Sequence, residues 1–277
     1  MKTAIDRMFK NSQGRGFFIL FLIIFGVTML TSFFPLWANV PFNIIFPILV
    51  LLTKPTVMFE KLKLTTLIIM RTLIILVLFH VMPAPLFYKL VLIFLIINIL
   101  EATFTDLLKN KMYFNFVTGL VLAVSVLCLG AMWIPEVTGP YSGLYLTYIT
   151  EKGPLFEITN IKMLATIAWI IAYTIWNWLF VIGEFSPSIS YLHIGILATP
   201  IVSSLVLWNP GIWLLARANS LTIGGVIQIA NKDTLEKNLD NEKLSRFIDK
   251  VKTNNIQLIL MILNLVLIAY SVIVYFS

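Results

Sequence analysis

"MLATIAWIIAYTIWNWLFVIGEFS", residues 163–186, is apolar for long enough to cross a bilayer, yet it carries Tyr173, Asn177 and Glu184. A membrane-spanning helix needs about 20 predominantly apolar residues. On such a helix the three polar residues fall at i, i+4 and i+11, along one face. A polar face on an apolar helix turns away from lipid and toward other helices. That reading sets the fold class: an all-α, polytopic transmembrane helical bundle with a polar interior surface.

Composition extends the reading to the whole chain. Its 277 residues are 59% hydrophobic and only 12% charged, with a mean hydropathy of +0.94. Soluble proteins carry about 25% charged residues, and a soluble core of this size could not hide so much apolar surface. Apolar runs recur at 16–34, 36–53, 64–82, 87–108, 112–132, 163–183, 189–207, 210–230 and 256–276. They predict about nine spans of roughly 20 residues each. The count falls to eight if 36–53, interrupted by Trp37, Asn39, Pro41, Asn43 and Pro47, is a kinked or re-entrant element. No repeat, low-complexity tract or long linker divides the chain, so residues 1–277 read as a single integral membrane domain. The basic N-terminus lacks a small-x-small cleavage site after its apolar run and reads as a retained first helix.

The pI of about 9.4 does not point to nucleic acid, because the basic residues sit in short connections. They divide unevenly between the two sides. With the N-terminus cytoplasmic, that side collects Lys2, Arg7, Lys10, Arg15, Lys54, Lys61, Lys63, Lys109, Lys111 and the cluster from Lys232 to Lys252. The other side holds Lys89, Lys152 and Lys162. The positive-inside rule then predicts a multi-pass protein of the cell (cytoplasmic) membrane, with its N-terminus inside and its C-terminus outside. Two connections are long. Residues 133–162 read as an external loop lying on the interface, or a lid over a vestibule. Residues 231–255 read as a cytoplasmic amphipathic segment, with Leu235, Leu239, Leu244, Phe247, Ile248 and Val251 near helical spacing.

Ionisable groups inside spans are costly and mark functional interiors. Here they are Arg71, Glu101, Asp106, Glu184 and Arg217, with His80 and His193 near span ends. Asn98, Glu101 and Thr105 share a face of the fourth span, and Trp213, Arg217 and Ser220 share one of the eighth. Thr199, Ser203 and Ser204 are further candidates in the seventh, where Pro200 opens the backbone. The competing role for such residues is interhelical hydrogen-bond glue, worth about 0.6–2 kcal/mol each. No H-E-x-x-H pair, G-x-S-x-G elbow, Walker A loop or Rossmann fingerprint appears, and the single cysteine, Cys128, forms no zinc set. No catalytic residue, metal or cofactor is expected.

Three segments, "INILEATFTDL" (97–107), "AYTIWNWLFV" (172–181) and "WLLARANSLTI" (213–223), resemble an uncharacterised family of bacterial multi-pass membrane proteins. Its pattern reads N-x-x-E-A-x-x-x-D, A-Y-x-x-W-N and R-A-x-[ST]-L. Here those positions are Asn98, Glu101, Ala102 and Asp106; Ala172, Tyr173, Trp176 and Asn177; and Arg217, Ala218, Ser220 and Leu221. The resemblance covers roughly residues 95–225 and implies only that these polar residues belong to one group.

The expected function is a transporter or channel-like carrier of a small polar or ionic solute. Its substrate site would use Glu101, Asn177 and Arg217, supported by Asn98, Tyr173 and Trp176. Asp106 and Glu184 are candidate coupling or interface acids. Arg71 and Glu101 are expected to form a structural ion pair across the third and fourth spans, and Arg217 to make a cation–π contact with Trp169 or Tyr173. The alternatives are a receptor or accessory subunit that senses a ligand in the same pocket, and a lipid-directed membrane enzyme. The partners expected are the bilayer and the solute, not nucleic acid; a homo-oligomer or a membrane partner is compatible with the sequence.

Overall fold

The computed structural model describes residues 4–9, 12–34, 37–56, 58–79, 81–129, 160–208 and 210–277. Among these residues every regular element is helical. The chain runs through α1 (Ala4–Phe9) and α2 (Gln13–Phe33) into a wide π-helical turn, Val40–Ile45, that leads to α3 (Phe46–Thr53). Then come α4 (Met58–Leu78), α5 (Ala84–Thr105) and α6 (Tyr113–Leu129), with a second π-helical turn, Asp106–Asn110, closing α5. After the interval come α7 (Asn160–Glu184), α8 (Pro187–Val206) and α9 (Trp213–Ala230). Two short helices, α10 (Lys232–Leu239) and α11 (Glu242–Val251), precede the last, α12 (Asn254–Phe276). The expected loop over 133–162 falls, up to residue 159, outside the described residues, as does His80.

Six helical stretches are long and apolar enough to cross a membrane: Gln13–Ser32, Lys89–Asn110, Leu164–Glu184, Pro187–Val206, Pro210–Ala230 and Asn254–Phe276. Three other expected spans are helical but differ in kind. Helix α4 has 21 residues and carries Lys61, Lys63 and Arg71. Val40–Thr53 and Tyr113–Leu129 are apolar but shorter. The first of these is distorted for a covalent reason. Pro41 and Pro47 have no N–H to give, so the turn widens and Phe46 N donates to Pro41 O, five residues back.

The core centres on α7 and α9. Trp169 stacks on Tyr173 with ring centroids 5.4 Å apart, and Trp213 meets both edge-on, at 5.7 and 5.0 Å. Trp169 Nε1 donates to Ser125 Oγ of α6 at 2.8 Å, and Ser271 Oγ of α12 donates to Ala165 O at 2.7 Å. Helix α12 leaves Ile259, Ile262, Val266 and Ile273 uncovered on its outer face, a surface suited to lipid tails.

The 231–255 segment is two helices rather than one. The chain breaks at Asp240, and the Asn241 side chain caps α11 by accepting from Lys243 N and Leu244 N at 3.0 and 3.2 Å. Both helices dock on the bundle. Leu235 and Leu239 pack with Phe9, Leu20 and Ile189, while Ile248 and Val251 pack with Met112 and Ile182. Asn238 and Asn241 reach Asp6 and Gln13 at 3.1 and 2.8 Å, so the N-terminal helices close over the same end.

Candidate functional site

Arg217 anchors the site. It is 4% exposed in the second turn of α9, and its Nη2 donates to Asn177 Oδ1 of α7 at 3.1 Å. Its guanidinium lies 5.9 Å from the centroid of the Tyr173 ring, one of the two aromatic partners expected from depth along the helices. Nε and Nη1 are buried and have no acceptor among the described residues. A guanidinium never sheds its charge in a protein, and it has five donors to satisfy. Arg217 therefore sits buried and charged, with most of its donors open.

Two chambers meet at this side chain. The first, partly open, has a cavity volume of about 40 Å³ and runs toward the α10 end past His193, Gln228 and Glu60. The second, about 50 Å³, runs the other way past Asn98, Tyr173 and a wall of Met70, Val91 and Leu95. Lys63, Leu67, Asn177, Arg217 and Leu221 line both. Lys63 comes from α4, with its Nζ 5.5 Å from the centroid of the Phe180 ring, and it is close enough to Arg217 for their charges to interact. The shared junction is thus a pair of cations with an amide between apolar walls. No carboxylate lines the second chamber.

The structure gathers some expected residues and separates others. Asn98, Tyr173, Asn177 and Arg217 surround one space. Trp176 packs behind it against Tyr173, with ring centroids 5.6 Å apart, and its Nε1 faces Gly119 of α6. Glu101 is partly buried and lines neither chamber. Asp106 and Glu184 lie at the α10 end, outside both. Thr199, Ser203 and Ser204 each donate to a carbonyl of their own helix, four residues back, so their hydroxyl protons are already committed. His193 is buried, with Nδ1 3.2 Å from Ile189 O and its ring stacked on Phe185.

The expected Arg71–Glu101 ion pair is absent: the ion pairs among the described residues are Lys109–Glu184 and Arg246–Glu242. The cation whose charge reaches Glu101 is Lys63. The reason is where α4 starts. It begins at Met58 rather than near Leu64, which carries Arg71 roughly 20 Å into the helix, while Glu101 lies only about 14 Å from Asn110. Arg71 is instead enclosed in the core at 1% exposure. Lys63 and Gln228 were not among the expected site residues. A signal for Lys63 exists: Glu60, Lys63, Leu67 and Met70 recur at helical spacing, one stripe of α4.

Among the described residues no three His, Cys, Asp or Glu side chains gather as a metal-holding group. Compared with known proteins, the chain matches no family model, no curated protein and no solved structure. The site's own chemistry is what speaks for its function.

Proposed function

We propose that this chain is a multi-pass protein of the cell membrane that carries a small organic anion through the junction at Arg217. The observation that carries the reading is the open donors of Arg217. A lone arginine in a span costs about 2.5–3.5 kcal/mol on insertion scales, and proteins retain such a charge where a partner or a task requires it. Among the described residues no carboxylate lies within ion-pair distance of Arg217, and Lys63 nearby faces Glu101 as well as Arg217. A carboxylate can take two guanidinium N–H groups at once, which a neutral solute cannot match. The apolar wall of the second chamber suits an anion with a hydrocarbon body.

The two chambers extend from one junction toward opposite ends of the bundle, which favours passage over simple sensing. Nine passes bring the chain's ends to opposite sides, with α10, α11 and most lysines and arginines cytoplasmic. In this reading the segments around Asn98, Tyr173–Asn177 and Arg217–Leu221 form one functional group, as their shared resemblance implies.

The test is thermal unfolding of the purified chain in the presence of acetate, butyrate, succinate or phosphate at equal ionic strength. A ligand of the folded state raises the midpoint; at 100 times its Kd the gain is about 2.7 kcal/mol. At least one carboxylate should stabilise the native chain and leave Arg217→Gln unmoved. Flux of that anion in proteoliposomes then separates carrier from sensor. Stabilisation that survives Arg217→Gln would remove the assignment.

A further inference from the structure

Asp106 lies away from both chambers and is fully buried, at 0% exposure. It opens the π-helical turn that closes α5, and Met112 N donates to its backbone carbonyl at 2.9 Å, which fixes the turn. Its carboxylate accepts from Asn110 Nδ2 at 3.1 Å and from Asn115 Nδ2 at 2.6 Å. No Lys or Arg comes within ion-pair distance among the described residues, because Lys109, three residues on, reaches out to Glu184 Oε1 at 2.6 Å. A buried acid without a cation is expensive to keep unless its surroundings serve it in both protonation states.

The surroundings do that. A carboxamide donates through its nitrogen to a carboxylate and accepts through its oxygen from a carboxylic O–H. Asn115 Nδ2 makes the first contact, and Asn115 Oδ1 is buried with no partner. Rotation of the amide would offer that oxygen to the acid proton. From α7 Asp106 faces Glu184, from its own turn Lys109, and from α6 the neutral Asn115.

Glu184 is a second acid, facing Asp106 from α7. Its Oε1 is held by Lys109, whose side chain is 65% exposed, while Oε2 is buried and has no partner. Gly183 lets α7 close on this point: a Cβ there would stand 3.1 Å from Asn110 Nδ2. The hydrogen bonds therefore run Asn110–Asp106–Asn115, with the Lys109–Glu184 pair beside them. Asn115 Nδ2 also lies 3.3 Å from Trp176 O, and the next residue, Asn177, holds Arg217.

We propose that Asp106 is a proton-binding site and that its proton is the coupling ion of the carrier. The binding site stands on Asp106's own surroundings; the coupling role rests on the anion-carrier reading. A proton taken up as a solute anion binds offsets its charge, and the shared α7 backbone at 176–177 links the two events.

The test is pH-difference infrared spectroscopy of the full chain in lipid bilayers, which needs no solute. The native chain should show the carbonyl band of a carboxylic acid that appears and disappears with pH. Asp106→Asn should lose the band and Glu101→Gln should keep it. Should Asp106→Asn fail to fold, Asp106→Glu keeps an acid in place and must shift the band. A band that survives Asp106→Asn, stays unshifted in Asp106→Glu or is absent from the native chain overturns the site. Proton flux accompanying an anion gradient in proteoliposomes, lost in Asp106→Asn while anion-induced stabilisation remains, supports the coupling role. A titrating band in a chain that no anion stabilises overturns the coupling role alone.

Discussion

Replacing Arg217 by methionine on an Asn177→Leu background should make the protein more stable and inactive. The native guanidinium has two contacts that hold it: the hydrogen bond to Asn177 and the face of Tyr173. A hydrogen bond to a charged group is worth about 1.5–3 kcal/mol, so Asn177→Leu alone should destabilise by that amount. On that background the arginine keeps only its cation–π contact, worth about 0.5–2 kcal/mol. Against it stands the burial cost of about 2.5–3.5 kcal/mol. Substitution by methionine, similar in length and apolar, should then gain about 0.5–3 kcal/mol. At about 2 °C per kcal/mol for a chain of this size, the midpoint should rise by roughly 1–6 °C.

The assay is thermal unfolding in lipid nanodiscs of the native chain, both single variants and the double variant, at fixed pH without added anions. The sign decides. Removing one partner of a buried ion pair typically costs about 3–5 kcal/mol. A loss of that size for Arg217→Met on the Asn177→Leu background would mean that Arg217 has a charged protein partner and is a structural residue. The argument for an anion site would go with it.

Three further outcomes follow from the packing and the charge pattern. Gly119→Ala places a methyl group against Thr103 Oγ1 and Trp176 Nε1, both buried, and should cost about 1–3 kcal/mol in the same unfolding assay. Asn219→Leu breaks the buried chain in which Asn43 Nδ2 donates to Asn219 Oδ1 at 3.1 Å and Asn219 Nδ2 donates to Ser32 Oγ at 2.9 Å; it should cost about 1–3 kcal/mol while leaving anion-induced stabilisation intact. A reporter active only in the cytoplasm should give signal when fused after residue 240 and none at residue 145, and the reverse pattern would invert the orientation.

The helices were legible because lipid demands long apolar runs, and such runs leave little choice of secondary structure. Their kinds were less so. Between Val40 and Pro47 two prolines remove donors, and hydropathy does not record where the freed backbone bonds go. The 231–255 segment shows the same limit: its apolar residues gave helix, but the break came from a side-chain cap at Asn241. Tyr173, Asn177 and Arg217 were legible as interior residues because a polar face on an apolar helix turns away from lipid, toward the bundle interior. Where they came together depended on crossings that periodicity does not encode.

Lys63 shows most clearly what a charge count hides. Read along the chain, it is one of several lysines at the start of a span, and the positive-inside rule assigns it to the interface. In space α4 begins at Met58, more than a turn and a half earlier, so Lys63 is already inside the bundle and lies on the stripe that includes Glu60 and Leu67. The same earlier start carries Arg71 past the level of Glu101 and leaves Lys63 as the cation facing that acid. One boundary thus removes an expected ion pair and supplies a second cation to the junction at Arg217. Helix ends are the least determined feature of an apolar sequence, because the first turn can extend into polar residues at little cost. For a binding site built from side chains on four helices, those ends decide which charges meet.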